Sequence, residues 1–162
     1  MQIFEALITR ISRFLDFVAG LMLAGTAALI VANILGRSLL NTSILGTYEM
    51  VGFFTAGAVG LALARCALEN SHIAVEFITD RFPPSLQKVI QLITGIPVIG
   101  FIIFTSYNLL QYGSRIAESG EVSPTTQMAF YPFIYIVALG FLALSLVLVL
   151  KLAQLFTGGE RK

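Results

Sequence analysis

Few residues in this chain could do chemistry. Its one cysteine, Cys66, and its one histidine, His72, stand in a stretch from Arg65 to Lys88. That stretch also holds Glu69, Glu76, Asp80, Arg81 and the pair Pro83-Pro84. One cysteine allows neither an internal disulfide nor a multi-cysteine metal site. One histidine cannot supply both axial ligands of a bis-histidine haem. No second ligand accompanies His72, so it reads as a capping or hydrogen-bonding residue, and no metal or cofactor is expected in this chain. There is no nucleophile–base pair and no phosphate-binding loop, so no catalytic residue is assigned and no enzyme activity is expected. The ionisable group that stands out is Glu49, just inside an apolar run. A carboxylate there is costly unless paired, and Arg37 is the natural partner for an ion pair at the outer face, the alternative being that Arg37 snorkels to lipid phosphate alone.

The elements that position these residues are read from the apolar runs. The chain has 162 residues, of which 57% are hydrophobic and 12% charged, with mean hydropathy +0.88. Soluble domains carry roughly 25% charged residues. Phe17 to Gly36 holds no charge, and about 20 residues cross a bilayer core. Four spans are expected, at about 17–36, 47–64, 89–113 and 128–150. The fold class is therefore an all-α membrane protein of two transmembrane hairpins in one domain, 1–162, joined by a linker at 65–88. Residues 1–16 carry apolar positions at helical spacing around Glu5, Arg10 and Arg13. They predict an amphipathic helix in the headgroup plane, the alternative being a helical extension of the first span that differs only by a bend, and the linker predicts another interfacial helix. Pro97 should kink the third span.

Four spans place both termini and the linker on one side of the membrane. Eight of the ten basic residues then lie on that side, and only Arg37 and Arg115 on the other. This split puts the termini and linker in the cytoplasm. A net charge of +1 gives no reason to expect a nucleic-acid partner.

Small residues recur every fourth position in the first span (Gly20, Ala24, Ala28, Ala32, Gly36) and in the second (Gly52, Ala56, Gly60, Ala64). Such stripes let helix backbones approach closely in lipid, so they are candidates for helix packing or for a partner interface, with a tight first hairpin expected. The polar residues at membrane depth, Asn33, Glu49, Asn108 and Gln111, all fall towards the outer ends of their spans. No mid-membrane ion cage is present, which points to a scaffold or accessory protein.

Several short motifs appear in a particular order. Asn33-x-x-Gly36-Arg37 closes the first span and Glu49 opens the second. His72-Ile-x-Val75 and then Pro83 lie in the linker, and Ser123-Pro124-Thr125-x-Gln127 leads into the fourth span. Together they resemble the small (Q-type, DctQ-like) membrane subunit of tripartite ATP-independent periplasmic (TRAP) transporters. Where that family often has a proline and a tryptophan after the Ser-Pro motif, Ala129, Tyr131 and Pro132 stand here. The resemblance implies a non-catalytic scaffold in the bacterial inner membrane. It would sit beside a large multi-span subunit that holds the sodium and organic-anion sites. A periplasmic substrate-binding protein would dock from outside, with Arg115, Glu118 and Glu121 as possible contacts. The competing readings are a stand-alone exporter working as a homodimer and a bare membrane anchor for another complex.

Overall fold

The computed structural model describes residues 2–69 and 83–157. Within them the chain forms four helices: α1 (Gln2–Leu40), α2 (Thr47–Leu68), α3 (Pro84–Ser119) and α4 (Tyr131–Thr157). Each is long and apolar enough to cross a membrane, so the protein is an all-α membrane protein. The expected linker helix, with His72 and Val75, lies outside the described residues.

The helix boundaries follow local chemistry. α1 meets neither proline nor glycine before Gly20, so nothing interrupts it. This corrects the expectation of a separate interfacial helix at residues 1–16: the chain runs unbroken from Gln2 into the span. Ile8, Ser12, Leu15 and Ala19 are buried, so this segment packs on protein. At 39 residues α1 is about 58 Å long against a hydrocarbon core of about 30 Å, and it projects well beyond the membrane. Asn41 then takes a left-handed conformation and turns the chain. α3 starts on Pro84, where a missing N–H costs nothing. It continues through Pro97 as one helix and stops at Gly120, whose φ is 66°.

The four helices pack as a row, not a closed bundle. α1 lies on α2, α2 on α4, and α4 on α3; α1 only brushes α4, and α3 makes no comparable contact with α1 or α2. The two inner helices, α2 and α4, therefore run parallel. The outer helices, α1 and α3, keep wide apolar faces bare, with Phe14, Phe17, Phe101 and Phe104 among the exposed residues.

The apolar core joins α1, α2 and α4 through residues such as Leu15, Ala19, Leu61, Ala64, Leu144 and Val147. The closest approach is between α2 and α4. There Gly140 lies against the backbone of Gly60, and a Cβ on Gly140 would fall on the Gly60 carbonyl. α3 is tied to α4 by the buried Ser106, whose hydroxyl donates to the Ala138 carbonyl at 3.1 Å.

The small-residue stripes are placed differently from the expectation of a tight α1–α2 seam. Gly20, Ala24, Ala28 and Ala32 are exposed, and Gly20 has nothing within 4 Å of a hypothetical Cβ. The α1–α2 seam instead uses Met22, Gly25 and Thr26 on α1, with Gly25 facing Phe54 and Met22 facing Gly57. On α2, Gly60 and Ala64 are buried, whereas Gly52 and Ala56 are exposed. The reason lies in the helical period. α1 turns its 8, 12, 15, 19, 22, 26 series inward, and the 20, 24, 28, 32 series falls on another face.

Candidate functional site

The polar motif residues converge at one end of the row, where both interhelical loops lie. We call it the loop end. The first loop is shaped by Asn33 and Gly36. The Ile44 N–H donates to Asn33 Oδ1 at 2.9 Å, and the Thr42 N–H donates to the Gly36 carbonyl at 3.2 Å. A Cβ at Gly36 would lie 3.1 Å from the Thr42 carbonyl oxygen, so the return of the chain favours glycine there. Gly46, with φ 75°, precedes α2. The Thr47 hydroxyl closes the turn by donating to the Ile44 carbonyl at 2.7 Å. Replacing Asn33 by leucine should cost about 1 kcal/mol, the net value of the hydrogen bond that the Ile44 N–H loses. Reversible detergent unfolding measures this, and an unchanged stability would mean that the turn closes without Asn33.

The second loop folds on itself. Val122 bridges Ala129, the Ser123 N–H donates to the Met128 carbonyl, and the Gln127 N–H donates to the Ser123 carbonyl, both at 3.0 Å. Gln127 adopts a positive φ of 53°. This fold turns the consecutive N–H groups of Thr125 and Thr126 towards α2.

Glu49, in the first turn of α2, receives them. Its carboxylate accepts from the Thr125 N–H at 3.0 Å, the Thr126 N–H at 3.2 Å and the Thr126 hydroxyl at 3.0 Å. The Ser123 hydroxyl lies beside the same carboxylate. It is buried, and no partner completes a hydrogen bond to it. Hydrogen bonds to a carboxylate are roughly twice as strong as neutral ones. Gly46 sits beneath this clasp, where a Cβ would fall on the Thr126 methyl.

This arrangement corrects the expected Arg37–Glu49 pair. Arg65 pairs with Glu69, one turn apart at the far end of α2. Arg37 is exposed, with no partner among the described residues. A carboxylate against two backbone amides and a hydroxyl has no need of a cation. The clasp joins the first hairpin to the second, and aromatic rings back it. Phe53 stacks on Phe133 at 5.0 Å and on Phe130 at 6.1 Å.

The remaining sequence-derived candidates are scattered. Arg115 and Glu118 lie exposed on the last turns of α3, and Glu121 is exposed on the loop beyond Gly120. Pro83 precedes the first turn of α3, its carbonyl accepting from the N–H groups of Leu86 and Gln87. No group of three His, Cys, Asp or Glu side chains that could hold a metal ion occurs among the described residues. No motif announces the aromatic cluster, and of the Gly60–Gly140 contact only Gly60 stands in a small-residue stripe, Gly140 in none. The Ser-Pro-Thr-Thr run does carry a signal for the clasp, because a tight turn there presents successive N–H groups to an anion.

Residues 26–158 match the family model described as "Tripartite ATP-independent periplasmic transporters, DctQ component". No curated protein and no solved structure gives a significant match.

Proposed function

The chain belongs to the DctQ family and is a small membrane subunit of a TRAP transporter, and from this premise we propose that it is the complex's stationary, non-catalytic scaffold. The observation that carries the reading is the open row. A flat row leaves the small-residue face of α1 (Gly20, Ala24, Ala28, Ala32) bare, which offers a large membrane partner a place for close helix approach that a closed bundle would cover. The clasp at Glu49 and the Gly60–Gly140 contact hold the two hairpins together, as a fixed part requires.

In this reading the large multi-span subunit carries the sodium and organic-anion sites and moves its transport domain against the row. The termini face the cytoplasm of the bacterial cell, in keeping with the eight-to-two split of basic residues, and the membrane is the inner one. The loop end then faces the periplasm, where its two pinned loops and exposed Glu121 help to dock the substrate-binding protein. The exposed stripe Gly20, Ala24, Ala28, Ala32 is the place on α1 where another helix could come closest.

The test is a mild-detergent pull-down of the tagged chain from native membranes, followed by mass spectrometry. A stoichiometric partner of roughly a dozen spans is expected. A chain that self-associates and moves a solute alone in liposomes would overturn the reading. Gly20→Leu combined with Ala24→Leu should remove the partner at least tenfold while the melting temperature of the isolated chain stays unchanged. Retention of the partner would place the contact elsewhere.

A further inference from the structure

On α3 the face turned away from α4 carries an unusual order of groups. α3 packs on α4 through Ser106 and Gly113, the latter against the Tyr135 ring. On the opposite side Tyr107, Gln111, Arg115 and Glu118 fall within about 80° of arc at 3.6 residues per turn. Three of them are joined in a ladder. Arg115 Nη2 donates to Gln111 Oε1 at 3.3 Å, and Gln111 Nε2 donates to the Tyr107 hydroxyl at 2.7 Å. The Tyr107 hydroxyl proton has no acceptor among the described residues. Nor does the Arg115 guanidinium have an acidic partner there. Asn108, beside the ladder, bonds back to the Phe104 carbonyl at 2.8 Å and takes no part.

The ladder lies within the membrane-spanning part of α3, at its loop end. Below it the same face becomes apolar, with exposed Phe104 and Ile96 and a gap at Gly100, which has nothing within 4 Å of a hypothetical Cβ. Polar side chains left bare at this depth are costly. Arginine is well suited to phosphate, and tyrosine to the boundary between headgroup and hydrocarbon. From the hydrocarbon outward, the face presents an apolar track, a hydroxyl donor, a cation and then, about 4.5 Å beyond Arg115 along the axis, a carboxylate.

We propose that this face of α3 binds one zwitterionic phospholipid with a primary ammonium. Its ester carbonyl accepts from Tyr107, its phosphate is held by Arg115, its ammonium reaches Glu118, and an acyl chain lies along Phe104 and Gly100. The order of charges in the lipid is the order on the helix, and no other described helix of the row covers this face. Arg115 and Glu118 then serve the lateral face of α3, leaving Glu121 to the loop end.

Native mass spectrometry of the full chain in mild detergent, titrated with phosphatidylethanolamine, phosphatidylcholine and phosphatidylglycerol of equal chain length, tests this. The first phosphatidylethanolamine should bind several-fold tighter than phosphatidylcholine, because a quaternary ammonium has no proton to donate to Glu118. R115Q should weaken first-site binding of all three lipids by about tenfold, and Y107F by a few-fold. E118Q should abolish the preference for phosphatidylethanolamine over phosphatidylcholine and leave phosphatidylglycerol binding intact. If R115Q and Y107F both keep the native melting temperature and bind lipid as the native chain does, the proposal is overturned. It is equally overturned if R115Q leaves lipid binding unchanged but releases a protein partner, since the face would then be a protein interface.

Discussion

Gly140→Ala is expected to be the most damaging single-methyl change in this protein. The added Cβ falls on the backbone carbonyl of Gly60, and no side-chain rotation relieves that. α2 and α4 must move apart, opening the core around Leu61, Ala64 and Val147. Overpacking costs about 1–3 kcal/mol, and a clash between two backbones belongs at the upper end. A graded series gives the control. At Gly60 the new methyl would lie 3.1 Å from Val137 Cα, so a smaller loss is expected. At Gly57 it would meet the flexible end of Met22 at 3.0 Å, which can turn aside, so little loss is expected. At Gly52 there is nothing within 4 Å, and stability should not fall. Reversible unfolding in detergent ranks all four. Equal effects at Gly140 and Gly52 would contradict the parallel α2–α4 contact.

Glu49→Ala should have the second-largest effect, and of a different kind. It removes the acceptor for both backbone amides and the hydroxyl of the 123–126 turn. The helices keep their Gly60–Gly140 contact, so the row should survive while the loop comes loose. Proteolysis between residues 120 and 130 should quicken on the order of tenfold, tracking the opened population. Glu49→Gln, which keeps the shape and one good acceptor, should fall between alanine and the native residue. Arg37→Ala should change neither readout. If Arg37→Ala loosened the loop as much as Glu49→Ala, the carboxylate would depend on the arginine after all.

The four spans were legible because an uncharged apolar run of about 20 residues matches the thickness of a bilayer core and little else. Both hairpins were legible because charges and turn residues interrupt those runs. The seam of α1 was misread because a period of four in small residues marks a face without saying what covers it. The inward series mixes Ile8, Ser12, Leu15, Ala19, Met22 and Thr26, which share spacing but not size or polarity. The partner of Glu49 was misread because charge suggests charge. Backbone amides belong to every residue, so the Ser-Pro-Thr-Thr run signals a tight turn there but does not say that the amides of Thr125 and Thr126 will meet Glu49. Gln111, Arg115 and Glu118 on α3 were visible as separate residues, but Tyr107 was not, and the bareness of their face depends on the row, which only the fold reveals.

The clasp also sets an order of events in the making of the protein. Glu49 and the Thr125 amide are 76 residues apart in the chain. When the first hairpin leaves the ribosome and enters the bilayer, its carboxylate has no donors to meet, since the turn that will hold it has not been translated. Gly60 likewise waits for Gly140. The first hairpin must therefore persist as an intermediate stabilised by its own α1–α2 seam, and the arrival of the second hairpin completes both contacts together. A ribosome stalled before residue 120 would hold a nascent chain with Glu49 accessible to solvent or to an insertion factor, and release of the full chain would close that window.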